Sequence, residues 1–340
     1  MRKNLIKHLF IIIIIFSNNS FGKVFSELFT IYEPIENSSK IEKSINNAFN
    51  TMIYRLSGSN SPSNVWKIIN DGNKRKDFIT SYSITKINHK NYLQVNFDKS
   101  LLLSKFQKLS ISPVGLSRPT ILLIIKIDSG STEPYYLEQD RVYSDIDTLL
   151  KDLLVNQSKN RGVFLELPSL DLNNIIELKK YKKINQDNIF FNNYYFDEMI
   201  EISMVNEGLD GWVISGDIEK IVPIKNFDIE LKKLINNFLS KKINNLLEKE
   251  KIDLNKKNNI NIIVSNISST NDLNIFKSQI NQLISVKDLY IASISNNKIS
   301  YNAVTYGEFS SIVKEINSGI FLNEIEVNNQ LDVIKLVYNK

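Results

Sequence analysis

Thr120 to Ile127 is an almost unbroken apolar run, Thr-Ile-Leu-Leu-Ile-Ile-Lys-Ile. Side chains alternate across a strand, so a run of this kind has no wet face and must be covered on both sides. Whatever else the chain does, it has to build layers around this segment. The following residues supply material for them. Ile146, Leu149, Leu150, Leu153 and Leu154 recur at helical spacing, Val163 to Leu167 reads as a second strand, and Pro168 to Asp171 forms the loop leaving it. The order is strand, helix, strand. Trp212 to Ser215 adds a further strand, and a long helix is expected from Asp228 to Leu247, with Leu231, Leu234, Ile235, Phe238 and Leu239 inside and Lys232, Lys233, Lys241 and Lys242 in solvent.

On either side of this block the pattern changes. Upstream, Val24 to Ile35 reads as a strand and Ser39-Lys40-Ile41-Glu42 as a capping box, which opens a helix whose stripe is Ile41, Ile45, Phe49, Met52, Ile53 and Leu56 and whose end is Gly58. Trp66 to Ile84 is expected to be helical. Leu93, Val95 and Phe97 alternate with polar neighbours as in a half-buried strand, and Asp98 is placed to cap a helix carrying Leu102, Phe106 and Leu109. Downstream, the polar run 251–259 marks a linker. Beyond it Ile260 to Val264, a helix from Asn271, Leu289 to Ile294, Lys298 to Tyr306, a helix Phe309 to Ile316 and Ile320 to Val327 follow in the order β-α-β-β-α-β. The expected fold class is therefore α/β and α+β, multi-domain. Small α/β sandwich domains at 23–112 and 113–250 precede a linker at 251–259 and a ferredoxin-like domain at 260–340. A chain of 340 residues, 42% hydrophobic, has the length and the apolar content for that many cores.

Residues 1–22 stand outside these domains. A basic start, an apolar run from Leu9 to Phe16, and small residues Ser20 and Gly22 around Phe21 have the layout of a secretory signal cleaved after about Gly22. As a helix the run spans about 12 Å against a hydrocarbon core of about 30 Å, so no stable membrane span is expected after cleavage. The expected location is the periplasm. The formal charge of +5 includes Arg2, Lys3 and Lys7 with no acid before Lys23, so a chain beginning at Lys23 carries 5 less 3, or +2. Lysines interleave with acids along most of that chain, which argues against a nucleic-acid partner.

Chemistry-bearing residues are sparse. The sequence has no cysteine and two histidines, His8 and His89, which removes thiol nucleophiles, zinc fingers and multi-histidine metal sites. It contains neither a phosphate-binding Gly-rich loop nor a G-x-S-x-G elbow. Ser-x-x-Lys occurs at Ser83, Ser295 and Ser311 without the companion K-T-G. No catalytic or metal-ligating residue is assigned and no cofactor is expected. Four residues remain as contacts for a ligand or partner: Arg118, whose fork suits a carboxylate or phosphate or a structural ion pair between domains, Pro168 and Asp171 in a strand-exit loop, and Trp212, a stacking platform or a core ring.

Several phrases taken together resemble a proteobacterial family catalogued as domain of unknown function 2066. They are Tyr54-Arg55-Leu56-Ser57-Gly58, Val95-Asn96-Phe97-Asp98, Gly115-Leu116-Ser117-Arg118-Pro119, Gly162 through Asp171 with its Leu167-Pro168-Ser169-Leu170-Asp171, and Trp212 before Ser215-Gly216. Ser117 departs from the family's usual Asn, and 173–210 is shorter than in the family. The resemblance implies a periplasmic protein of a Gram-negative bacterium and carries over no catalytic residues. The expected role is an exported binding or scaffolding protein of the cell envelope whose partner is an envelope protein or glycan. The alternative is a glycan hydrolase using two carboxylates among Asp98, Glu166, Asp171 and Asp217.

Overall fold

A computed structural model describes residues 23–35, 41–87, 90–170, 194–295, 298–318 and 322–338. The capping-box residues Ser39 and Lys40, His89, Asp171 and the whole of 1–22 lie outside the described residues. The architecture is mixed α/β, with seven α-helices and four sheets among the described residues.

The first unit contains β1 (Lys23–Val24), β2 (Thr30–Pro34), α1 (Ile41–Ser57), α2 (Ser63–Asn70), β3 (Ile79–Ile87), β4 (Lys90–Phe97) and α3 (Lys99–Lys108). The apolar stripe of α1 is buried at Ile45, Phe49, Met52, Ile53 and Leu56, against Leu93, Val95 and Phe97 of β4. Asp98 caps α3 by accepting the Leu101 N–H at 2.9 Å. Two expectations are corrected. The helix expected over Trp66 to Ile84 ends at Asn70, and Ile79–Ile87 is an edge strand beside β4. Its β-branched residues favour extension. Residues 80–84 are exposed on both faces, so no apolar alternation announces it. The single strand expected over Val24 to Ile35 is broken by a turn, and its two halves join different sheets: β2 pairs β4, while β1 pairs a strand of the second unit.

That second unit holds β5 (Ser117–Arg118), β6 (Thr120–Asp128), β7 (Tyr135–Tyr136), α4 (Asp145–Arg161), β8 (Phe164–Glu166), β9 (Glu198–Asn206), β10 (Trp212–Gly216), β11 (Lys220–Val222) and α5 (Phe227–Lys249). The sheet runs β11-β10-β9-β6-β7, with β8 also beside β6. β6 pairs parallel with β8 and β9 and is covered on both faces, as its composition demands. Ile121, Leu123, Ile125 and Ile127 meet the buried stripes of α4 and α5, while Leu122 and Ile124 meet Leu170 on the other side.

The third unit comprises β12 (Lys257–Ser265), α6 (Thr270–Gln282), β13 (Val286–Ser295), β14 (Lys298–Tyr306), α7 (Phe309–Asn317), β15 (Leu322–Asn328) and β16 (Val333–Tyr338), ordered β13-β14-β12-β16-β15. The expected succession of elements is present, but the ferredoxin-like arrangement is not. A final strand, β16, enters parallel to β12 and takes the place beside it, which displaces β15 to the edge. Burial of Ile334, Leu336 and Tyr338 accounts for the insertion, with the Tyr338 ring set edge-on to Phe276.

The cores do not follow the order of the chain. The first and third units share one continuous core, and the second has its own. The segment 251–259 is packed into this arrangement. Ile252 and Leu254 are buried in the shared core, the Ile252 N–H donates to the Pro113 carbonyl at 2.8 Å, and β12 already begins at Lys257. Among the described residues no helix is long and apolar enough to cross a membrane.

Candidate functional site

The three units meet where α1, α4 and α5 end. A helix leaves its last carbonyls without intrahelical donors, and their partial negative charge favours cations. Here buried arginines supply the donors. Arg118, fully buried, donates to the Arg55 carbonyl at 3.0 Å and to the Val114 carbonyl at 3.2 Å. Arg161 donates to the Gly58 carbonyl at 2.9 Å and to the Asn244 side chain of α5 at 2.7 Å. Arg55 reaches the Lys159 carbonyl in the last turn of α4 at 2.5 Å and the carbonyls of Glu27, Leu28 and Thr30 at 2.7 to 3.1 Å. It thereby gathers the turn that breaks β1 from β2, and Phe25 lies against its guanidinium at 5.2 Å.

Burial lowers the affinity of these guanidiniums for their protons. Arg118 is pushed down to about 9 by burial, then by the neighbouring cations Arg55 and Arg161, with Glu315 and Glu250 opposing. Arg55 falls to about 9 and Arg161 to about 10 for the same principal reason. All three remain charged at neutral pH. Close approach of the chains depends on two glycines. Gly58 and Gly162 both have left-handed φ, at 68° and 61°. A Cβ at Gly58 would stand 2.7 Å from Val114, and one at Gly162 would stand 2.9 Å from the Arg55 side chain.

Glu315, on α7 between the buried Ile312 and Ile316, completes the joint from the third unit. Its buried carboxylate accepts the N–H groups of Leu116 (2.5 Å), Ile284 (3.3 Å) and Ser285 (2.8 Å), together with the Ser285 hydroxyl at 2.5 Å. One side chain therefore holds the strand leading into β5 and the connection from α6 to β13. Gly115 leaves room for it, since a Cβ there would lie 2.7 Å from the Glu315 Oε1.

Beside this joint opens a cleft of about 170 Å³, bordered by Ser117, Lys249, Glu250, Ser311, Lys314 and Glu315. A smaller void of about 30 Å³ adjoins it, sharing Ser117, Lys249, Glu250 and Lys314 and bordered also by Arg118 and Asp197. Lys314 is ion-paired with Glu250 at 2.6 Å. The Ser117 Oγ and Arg118 Nε are buried without a hydrogen-bond partner among the described residues.

Of the three expected contact residues that are described, the structure brings only Arg118 to this place, at the small void adjoining the cleft, with its terminal nitrogens on main-chain carbonyls. Pro168 is buried, and its carbonyl accepts the Gln139 N–H at 3.0 Å. Trp212 is a core ring stacked on Phe227 at 5.2 Å. Asp171 lies outside the described residues. The other tryptophan, Trp66, is 56% exposed on α2. The three described carboxylates weighed for a hydrolase occupy separate places. Asp98 caps α3, Glu166 on β8 is ion-paired with Lys23, and Asp217 accepts the Glu201 N–H at 2.9 Å beyond the end of β10. Sequence reasoning passed over Arg55, Arg161, Glu315, Lys249 and Lys314. A readable signal existed for three of them: Arg55 and Arg161 each stand in the last turn of a helix that is followed by a glycine, and Glu315 sits on the apolar side of an amphipathic helix. No protein-family model, curated protein or solved structure matches the chain.

Proposed function

We propose that the chain is an exported binding or scaffolding protein of the cell envelope. The observation that carries this reading is the use to which its charged groups are put. Arg55, Arg118, Arg161 and Glu315 are spent on main-chain groups where three units meet, which makes a stiff frame around a polar cleft. Asp98, Glu166 and Asp217 are each engaged locally on different elements, an arrangement that suits capping and bracing better than a pair of carboxylates working on one glycosidic bond. The layout of residues 1–22 supports export. The resemblance to the proteobacterial family supports the same compartment, and its phrases around Arg55, Gly115 to Pro119 and Gly162 fall together at this joint.

Cell fractionation with intact-mass measurement tests the reading. The expected result is a chain released by osmotic shock with Met1 to Gly22 removed, crosslinking in whole cells to an envelope protein or glycan. Recovery of the full-length chain from the cytosol would contradict it.

A further inference from the structure

We propose that the cleft between Ser117, Lys249 and Lys314 binds a small oxyanion, a carboxylate or phosphate group carried on a ligand of few atoms. This deepens the reading of the chain as a binding protein and rests on it. The proposal follows from a count of donors and acceptors around the cleft. Each carboxylate there already has a partner: Glu315 receives four donors, Glu250 holds Lys314, and Asp197 accepts the Thr120 N–H at 2.8 Å. Donors are left over. The Ser117 hydroxyl belongs to a residue only 4% exposed and has no partner, and the Arg118 Nε beside it has none either. A buried donor without an acceptor is costly, so a site that collects such donors at the wall of a cleft favours an acceptor group from outside. Lys249 adds an ammonium that makes no ion pair among the described residues.

Charge points the same way. Cations and carboxylates bordering the cleft and the adjoining void balance, at three each: Lys249, Lys314 and Arg118 against Glu250, Glu315 and Asp197. Arg55 and Arg161 lie behind Arg118, close enough to act on it electrostatically, and tip the local balance to positive. The volume of about 170 Å³ suits a small acid or a phosphate group.

Titration calorimetry on the full mature chain, at constant ionic strength and with inorganic phosphate and succinate as probes, tests the proposal. Saturable binding of at least one probe is expected, with the responding probe identifying the group preferred. Lys249→Gln should weaken binding about tenfold, as loss of a charged hydrogen bond does, and Ser117→Ala several-fold. Lys277→Gln, at an exposed position on α6, should leave it unchanged. Circular dichroism melts of each variant separate lost binding from lost folding. Absence of saturable binding for both probes at 10 mM, or binding that a folded Lys249→Gln variant retains in full, would overturn the proposal. Either result would leave the envelope assignment standing, because that is read from fractionation and crosslinking.

Discussion

Removing the Glu315 carboxylate is the perturbation that most severely tests the joint between the units. In Glu315→Ala the buried N–H groups of Leu116, Ile284 and Ser285 lose their acceptor together, while the Ser285 hydroxyl is free to rotate toward another partner. An orphaned buried donor costs about 1–3 kcal/mol, so three of them set a range of about 3–9 kcal/mol. Glu315 borders the cleft, which lets water reach part of the vacated space and favours the lower half of that range. The same carboxylate offsets the charge of Lys99 and Arg118, and its loss leaves both less compensated. The expected destabilisation is about 4 kcal/mol. At roughly 2 °C per kcal/mol for a large domain, this amounts to a fall of about 8 °C in Tm. Equilibrium unfolding in urea followed by far-UV circular dichroism measures it. Glu326→Ala, which removes an exposed ion pair with Lys335, serves as the comparison and should leave the urea midpoint essentially unchanged. A Glu315→Ala variant within 1 kcal/mol of the parent would refute the idea that this side chain ties the units together.

Other outcomes follow from the same geometry. Gly115→Ala should displace the Glu315 carboxylate and cost about 2 kcal/mol, and combined with Glu315→Ala it should add little, as a double-mutant cycle would reveal. Gly162→Ala, at φ 61° with its Cβ against Arg55, should cost about 2 kcal/mol by urea denaturation; a neutral result would mean that α4 ends differently. Lys99 donates to the carbonyls of Asn281 and Leu283, and burial, opposed by Glu315, pushes it from 10.5 down to about 8. Its folded value lies below its unfolded one, so the unfolded chain holds more protons between those limits, and the group's contribution to stability rises with pH across about 8 to 10.5. Lys99→Met should flatten the pH dependence of the urea midpoint in that window, and an unchanged slope would count against the assignment. Asp98→Ala should cost about 1 kcal/mol through loss of the α3 cap.

The parts of the fold legible in the sequence were those with one wet and one buried side, or none wet at all. The α1 stripe, the alternation of β4 and the unbroken run of β6 each fix a period and a burial demand, and each forms where expected. β3 was not legible because both its faces are exposed over residues 80–84, so it carries no period. β16 went unread because a hairpin's place in a sheet depends on which neighbour it pairs with, and local pattern says nothing of that. The packing of Ile252 and Leu254 escaped for a related reason: two apolar residues in a charged run look like a linker until the shared core that receives them is known. Within the candidate site, Arg118 stood out because an Arg-Pro pair enters a buried strand. One of its acceptors, the Arg55 carbonyl, lies at the end of a helix 63 residues away, and the two come together only in three dimensions.

Hydrogen exchange at single amides tests the central claim most directly, because it reads the joint without altering it. The Leu116 and Ser285 amides, bonded to Glu315, and the Ile252 amide, bonded to Pro113, should exchange as slowly as the amides of β6. Exchange of these three at the rate of open loops, with β6 still protected, would contradict the account and leave three units that merely adjoin.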